Sequence, residues 1–533
     1  MPYGVVFLGL PPDHERLKDA NPGLPMGGAQ VAEHAVLQNL LRYSIAEPLV
    51  VVPNPTLTRR EARSLLSAYD GHARAHLAFP EELRVPGDAP MAILQATTRL
   101  DEGAVFRSRW GRPEWPLIGL AHALNGADAF NSAILPALRP DLFGDSDSLI
   151  CTSRRAVVSW RRLQASVSES VPRTPEAHRG IEPYLIPLGV DSGGSRPTDR
   201  AAARQSLGLP ATATVFLCFG RVSSRSKMDP TVLLLGFLAA FGRDPSTTLV
   251  IAGDATGEDT GRLTARIRAL GLDGRVRLVE NPSRQVKGLL HAAADVFVQL
   301  GDNTQETFGL GVVEAMAHGL PVIASDWSGY QDTVVDGVTG RLLPTTWRSD
   351  GYLGDTAGFL PEWDLGSALA GEVSVDFGLL VAAFREMADD PSKRKAMGAR
   401  GSRRASENHA WPTVVARIDG LLGRLARPGS AHRTGTARCW PPRANEVFGH
   451  YATSSSELSG DLRCTDDPVL LDAARRIVPE VLAGTGSAPG AVYRVDSLLD
   501  AMVRGGMRRF EARRLLLLGI KYGLLAPAPP PTG

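Results

Sequence analysis

Two glutamates separated by seven residues stand in Gln305-Glu306-Thr307-Phe308-Gly309-Leu310-Gly311-Val312-Val313-Glu314-Ala315-Met316-Ala317. The stretch follows a predicted strand and opens a predicted helix. Gly309 and Gly311 let the backbone approach a ligand closely. The unpaired N–H groups of the first helical turn form an anion site. Glu306 lies before that turn and Glu314 just inside the helix, so one reaches a sugar hydroxyl and the other a ribose, with room for a diphosphate between them. The spacing alone also suits an ordinary buried loop-to-helix turn whose glutamate favours the helix dipole, or the carboxylate pair of a glycosidase.

A second cluster, Phe219-Gly220-Arg221-Val222-Ser223-Ser224-Arg225-Ser226-Lys227, follows another predicted strand. Two cations on one loop at a strand end suit a pyrophosphate, Arg as a two-pronged fork and Lys as a mobile point charge. A solvated basic loop is the other meaning of such a run, and Arg225 fits it. Gly27 and Gly28, in Pro25-Met26-Gly27-Gly28-Ala29-Gln30, make a glycine turn at a helix N-terminus, placed to approach a phosphate or sugar. They are not the dinucleotide fingerprint Gly-x-Gly-x-x-Gly. His122 ends the apolar run Leu117-Ile118-Gly119-Leu120-Ala121. It reads either as a satisfied core histidine or as a ligand-facing one at a strand end.

Such residues need a scaffold that brings strand ends together. Short apolar, β-branched runs at 5–10, 49–52, 149–152 and 184–187 predict strands in the first part. Runs at 215–219, 249–252, 276–279, 296–300 and 322–324 do so in the second. They are apolar on both faces, as covered parallel strands must be. Helical periodicity lies between them at 30–41, 230–241, 259–270, 285–294 and 312–318. The alternation predicts an α/β fold with two sheets. A Gly/Ser/Pro cluster at 193–197 marks a boundary. The stretch 347–373 reads as an irregular surface excursion, 376–425 as helical, and 427–443 as a polar linker. Residues 444–526 read as a small, mainly helical, winged-helix-like domain before a Pro-rich tail.

The chain has 533 residues, 43% of them hydrophobic, enough for real cores. Its 58 basic and 57 acidic residues leave a net charge of +1. That balance gives no electrostatic case for nucleic acid or an anionic membrane as a whole-protein partner. The four cysteines, Cys151, Cys218, Cys439 and Cys464, show no zinc or redox spacing, which points to a reducing compartment. With no signal-peptide pattern and no apolar run of the roughly 20 residues a membrane helix needs, a cytoplasmic enzyme is expected, peripheral at the inner membrane face at most.

Together these features resemble the retaining family-four glycosyltransferases of the GT-B fold. The match is strongest from Glu306 to Leu342, through Glu-Thr-Phe-Gly-Leu-Gly-Val-Val-Glu-Ala-Met-Ala-His-Gly-Leu-Pro-Val-Ile-Ala-Ser-Asp-Trp-Ser-Gly and Val-Asp-Gly-Val-Thr-Gly-Arg-Leu. Arg221 with Lys227, Pro187-Leu188-Gly189-Val190-Asp191 and Trp411 also fit. The resemblance covers about 205–425 well and the first half more loosely. It implies two Rossmann-like domains facing a central cleft, 1–192 and 193–375, with the 376–425 helices returning to the first.

The resemblance also implies residue roles. Arg221 and Lys227 hold the donor diphosphate and stabilise the leaving group, and Glu314 binds the ribose. Glu306, with the N–H groups of Phe308, Gly309 and Leu310, holds the sugar and phosphate. Gly27 and Gly28 lie near the phosphates, His122 touches the sugar, and the loop with Asn281 borders the base. A hexose would pass from a nucleotide-diphosphate sugar to a glycan, lipid or small molecule, by front-face substitution without a protein nucleophile, cofactor or metal. Lys227 lies six positions after Arg221, one more than the common family pattern, with Arg225 as the alternative cation. Other readings are a different GT-B enzyme, such as a nucleotide-sugar epimerase, or a non-catalytic nucleotide-sugar-binding protein. The basic helices near the C-terminus, with Arg504, Arg508, Arg509, Arg513, Arg514 and Lys521, read as a protein-docking or self-association module rather than a nucleic-acid reader.

Overall fold

The computed structural model describes residues 3–11, 28–83, 90–110, 114–170, 180–191, 199–221, 227–242, 244–255, 257–348, 362–426, 459–468, 471–472, 475, 488–521 and 524–528. The expectations at Gly27, Arg225, 193–197, 427–443 and the end of the Pro-rich tail lie outside these residues. The chain divides into two compact units. One is Met1–Val51, Ala68–His76 and Val85–Ala437, and the other is Val52–Ser67, Leu77–Arg84 and Arg438–Gly533.

The first sheet contains β1 (Gly4–Leu8), β2 (Leu49–Val52), β3 (Ala75–Leu77), β4 (Met91–Gln95), β5 (Leu117–Leu120), β6 (Ser148–Cys151) and β7 (Glu182–Leu185). Their order is β3-β2-β1-β4-β5-β6-β7, and β1, β4, β5, β6 and β7 pair in parallel. The second contains β8 (Thr214–Phe219), β9 (Thr247–Gly253), β10 (Val276–Glu280), β11 (Val296–Gln299), β12 (Val322–Ser325) and β13 (Gly340–Leu343). Its order is β10-β9-β8-β11-β12-β13, parallel throughout. Leu49–Val52, Met91–Gln95 and Thr247–Gly253 are buried along their whole length, as strands covered on both faces are, and Met91–Gln95 was not among the expected strands.

Strand order reverses between β1 and β4 and between β8 and β11. In open α/β sheets the crevice outside the carboxyl ends at such a reversal is where ligands bind. The segments of interest leave those ends: Gly220–Arg221 after β8, the 300–309 loop after β11, and Ala121–His122 after β5. Helix caps fix the returns. The Asp229 side chain accepts the Thr231 N–H with Pro230 at the first helical position of Pro230–Phe241. Ser283 accepts the Val286 N–H at the start of Arg284–Ala293. Phe216, Phe237 and Phe384 meet edge to face within the second core, Phe216 and Phe384 at 5.1 Å between centroids.

Three helices, Phe377–Asp389, Pro391–His409 and Trp411–Leu425, follow the second sheet. The last returns to the first sheet's side. Asp419 on it, buried, accepts the hydroxyls of Tyr3 and Ser44, each at 2.6 Å, and the Ile45 N–H at 3.0 Å. The Val190 N–H donates to the His409 carbonyl at 2.8 Å. The 347–373 stretch departs from its expected irregularity. Its described part holds the helix Glu362–Gly371, and β14 (Thr345–Trp347) pairs antiparallel with β15 (Val373–Val375). Gly-rich composition hid a ribbon whose two strands are only three residues each.

The second unit is helical with a small sheet. Helices Arg59–Ser67, Val495–Arg504 and Arg509–Lys521 accompany β16 (Asp461–Cys464), β17 (Val492–Arg494) and β18 (Leu525–Pro527). The strands run antiparallel in the order β17-β16-β18. Leu462, Leu498, Leu499, Met502, Leu516 and Leu525 make its core. Two segments expected within the first domain belong here. The Arg508 side chain is fully buried, its guanidinium 3.6 Å over the Phe79 ring and donating to the carbonyls of Pro55 and Leu57.

Candidate active site

A cavity of about 250 Å³ lies between the carboxyl ends of the two sheets. Arg221, Lys227, Glu306, Phe308, Gly309, Leu310, Glu314 and His122 all line it. The structure therefore brings together most of the residues singled out in the sequence, from segments up to 192 positions apart. Gly28 begins the helix Gly28–Tyr43, whose Val31 and Ala32 line the same cavity.

The loop after β11 turns on Gly309, which has φ +93° and sits against the Tyr330 ring. A Cβ there would lie 2.5 Å from that ring, so both the conformation and the space require glycine. At the end of β9, Gly253 has φ +141°, and a Cβ would lie 1.7 Å from the Gly220 carbonyl. That contact lets the ends of β8 and β9 converge under the Arg221 loop.

Glu306 departs from its expected place. Its Oε1 accepts the N–H groups of Phe308 at 3.1 Å and Gly309 at 2.8 Å, closing over the first part of the anion site. Its Oε2 accepts Lys227 Nζ at 3.1 Å and the Tyr330 hydroxyl at 3.3 Å. Burial raises the pKa of this carboxyl, but Lys227 and the two backbone N–H groups outweigh it and hold the group below the usual carboxylate range. A carboxylate with four donors is a bracket for the loop and for Lys227 before it is a sugar contact. At the helix start, the N–H groups of Leu310 and Gly311 have no partner among the described residues, and both residues line the cavity.

Arg221 is half-buried and, among the described residues, has no carboxylate partner. Burial lowers its pKa, the sign of a cation held out of water without compensation. Glu314 pairs with Lys287, Nζ to Oε1 at 2.8 Å, and is held ionised by that lysine against the effect of burial. Lys287 also lies 5.6 Å from the Phe219 ring centroid. The sequence reading missed Lys287, because one lysine on an amphipathic helix carries no signal until the fold sets it beside Glu314.

His122 follows β5, and its Nε2 donates to the Ala96 carbonyl at 2.6 Å. Burial pushes its pKa down to about 4, so it is neutral, with Nδ1 as the acceptor. Its backbone carbonyl accepts Thr307 Oγ1 at 2.9 Å, joining the two sheets' loops directly at the cavity. Asn281 does not line the cavity. With φ +47°, it exchanges side-chain hydrogen bonds with the Ala255 backbone, both at 3.3 Å. The cavity wall there is made by Gly253, Asp254 and Pro282 to Arg284, so Asn281 shapes the border from behind.

Residues 199–352 match the family model described as Glycosyl transferases group 1, so the chain carries a domain of that kind. The D-inositol 3-phosphate glycosyltransferase of Saccharomonospora viridis is 31% identical over 304 residues, 55% of this chain and 66% of that protein. The Rhodococcus jostii protein of the same name is 29% identical over 358 residues, 65% of this chain and 68% of that one. The chain spans about half to two thirds of the length of the curated relatives it matches. Among solved structures, Anabaena HepE in complex with UDP and glucose matches with TM-score 0.51 at 18% identity, covering 79% of this chain and 100% of that one. Sucrose-phosphate synthase from Thermosynechococcus elongatus matches with TM-score 0.52 at 18% identity, covering 79% and 99%. These likenesses and the two parallel sheets establish the GT-B fold, with a helical C-terminal region.

Proposed function

We propose that this protein is a retaining glycosyltransferase of the family-four type, moving a hexose from a nucleotide-diphosphate sugar to an acceptor without a metal. The observation that carries the reading is Arg221. An arginine half-buried at a strand end, without a carboxylate partner among the described residues, lines one cavity with Lys227 and with the open N–H groups of Leu310 and Gly311. Burying an uncompensated cation is costly, and an anion of two phosphates supplies the missing partner.

In this reading the bond from the anomeric carbon to the diphosphate oxygen breaks, and its electron pair stays on the diphosphate. Arg221, Lys227 and the helix N-terminus stabilise that charge where it develops. The acceptor oxygen attacks the same face of the sugar, and its proton passes to the departing phosphate oxygen. Catalysis then rests on positioning and on fixed positive charge. Glu314, oriented by Lys287, receives ribose hydroxyls on Oε2, which carries no hydrogen bond among the described residues. His122, neutral, offers Nδ1 to a sugar hydroxyl.

UDP in the HepE structures and the names of the curated relatives suggest where to start. UDP is the first nucleotide to test and a phosphorylated polyol the first acceptor. Cys151, Cys218 and Cys464 are buried free thiols, which supports a cytoplasmic setting. Among the described residues no helix is long and apolar enough to cross a membrane. Calorimetry with nucleoside diphosphates, followed by NMR of the anomeric configuration of the product, tests the proposal. Absence of nucleotide binding rejects the site, and an inverted product rejects retention.

A further inference from the structure

Tyr330 opens the short helix Tyr330–Thr333 after β12 and is 1% exposed. Its ring is packed against Gly309, where a Cβ would stand only 2.5 Å away. Its hydroxyl lies 3.3 Å from Glu306 Oε2, the same oxygen that Lys227 Nζ approaches at 3.1 Å. The other oxygen of Glu306 is filled by two backbone N–H groups. A carboxylate oxygen shared by a phenol and an ammonium holds the ammonium less tightly than one that has the ammonium alone.

We infer that Tyr330 is a positioning residue of the donor site. By occupying Glu306 Oε2 together with Lys227, it keeps that lysine at the cavity edge, available to the diphosphate. This rests on the donor-site reading above and adds a residue outside the Glu-x7-Glu segment. Burial holds the phenol well above its ordinary pKa, so it is always a donor here. Without the hydroxyl, Oε2 belongs to Lys227 alone, and the ammonium settles onto the carboxylate and away from the phosphates. The effect of Tyr330 therefore runs through Lys227, and a residue that merely filled space would not show that dependence.

A double-mutant cycle on the full chain tests this. Tyr330→Phe keeps the ring and should lower kcat for the nucleotide-sugar donor roughly tenfold, the scale of one hydrogen bond to a charged group. Its Tm should stay close to that of the parent. In a Lys227→Met background the same substitution should change kcat by less than about twofold, because the group it acts through is gone. Placing 3-fluorotyrosine at position 330 keeps ring and donor together and should preserve parent activity at neutral pH. Equal losses in both backgrounds, an unimpaired Tyr330→Phe, or equal impairment of the fluorotyrosine and phenylalanine proteins would overturn the inference. A parent chain that binds no nucleoside diphosphate rejects the donor site as well, whereas a parent that transfers sugar while Tyr330→Phe matches it rejects only the role of Tyr330.

Discussion

Lys287 Nζ donates to Glu314 Oε1 across 2.8 Å, joining the helix Arg284–Ala293 to the helix Leu310–Ala317. The pair fixes which way the second carboxylate of the motif turns. Both side chains are about one quarter exposed, 24% and 23%, so the pair is neither screened as on an open surface nor fully desolvated. Glu314→Ala should weaken nucleoside diphosphate binding by on the order of 1.5–3 kcal/mol, the range for a hydrogen bond to a charged group. Lys287→Met should weaken it less, since the carboxylate remains but is no longer oriented. Calorimetry on the folded variants decides. Unchanged affinity for Glu314→Ala removes the ribose assignment.

Arg221→Ala should lower turnover by about 100-fold or more, the scale of removing one preorganised donor from developing charge. Tm should hardly move, because no hydrogen bond of Arg221 to a described residue is lost. Chelation should leave activity intact if two cations and a helix terminus carry the charge. Loss with EDTA and recovery with magnesium or manganese would reject the metal-free mechanism, and near-normal turnover in Arg221→Ala would remove that residue from the site.

Much of this arrangement was legible from local chemistry. Pro230–Phe241 begins and ends where its periodicity places it. The strands from β8 to β12 show as buried β-branched runs. Arg221, Lys227, Glu306 and Glu314 stand out because each lies near a predicted strand end; the spacings alone also suit an ordinary turn or a solvated basic loop, and the long segment from Glu306 to Leu342 tips the reading. What stayed hidden depends on tertiary placement. Tyr330 and Lys287 gain meaning only beside Glu306 and Glu314. The donors that saturate Glu306 come from two chain neighbours and from residues 79 positions before and 24 after it. The grouping of 52–67 with the C-terminal unit joins segments far apart in the chain, and one link between them is a buried arginine that reads as surface charge in the sequence.

Asp302, in the loop after β11, offers a pH test. Its Oδ2 accepts the Asp229 N–H at 3.2 Å, while its Oδ1 is buried without a partner among the described residues. Burial raises its pKa from 3.8 to about 7. The folded state therefore binds this proton more tightly than the unfolded state. The stability it confers is fully present below about pH 4 and is lost as pH rises through about 7. Asp302→Asn removes the titration and keeps an oxygen for Asp229. The variant should gain stability relative to the parent between pH 4 and 8, with no further change above. Chemical denaturation at a series of pH values checks it, and a constant difference across that range contradicts the burial argument.

Arg508 organises the second unit. Its guanidinium covers Phe79 and serves two carbonyls of the Pro55–Leu57 turn. Arg508→Ala should cost on the order of 1–3 kcal/mol in total, from the lost packing on Phe79 and the two lost hydrogen bonds, since the acceptors at exposed Pro55 and half-buried Leu57 can turn to water. Hydrogen exchange should then show Arg59–Ser67 and Val495–Arg504 losing protection together, because 52–67, 77–84 and the C-terminal chain share one compact unit. Protection lost in Val495–Arg504 alone would mean that the early segments fold independently of it. The outcome also bears on truncation. Removing everything after about residue 427 strips 52–67 of its packing, so such a truncation is a harsher change than cutting an appended tail.

The last prediction concerns the two sheets that face the cavity. Thr307 Oγ1 reaches the His122 carbonyl at 2.9 Å, and Asp332 Oδ2 takes the N–H of Arg154, the first residue of the helix Arg154–Ser170. Asp332 Oδ1 also stands 3.7 Å from the Arg154 guanidinium, and Gln331 accepts from Arg155. A carboxylate from one domain thus caps a helix of the other, where a negative charge is favoured by the helix dipole. The Val190–His409 contact joins the same domains elsewhere, so Asp332 can be removed without cutting every link between them. Asp332→Ala should forfeit about 1 kcal/mol of closure, the usual worth of a cap. Scattering from the full chain with UDP should give a larger radius of gyration for the variant than for the parent. Donor hydrolysis should rise relative to transfer, because water enters a site that no longer shuts fully. Identical scattering together with an unchanged hydrolysis-to-transfer ratio would show that the cap plays no part in closure.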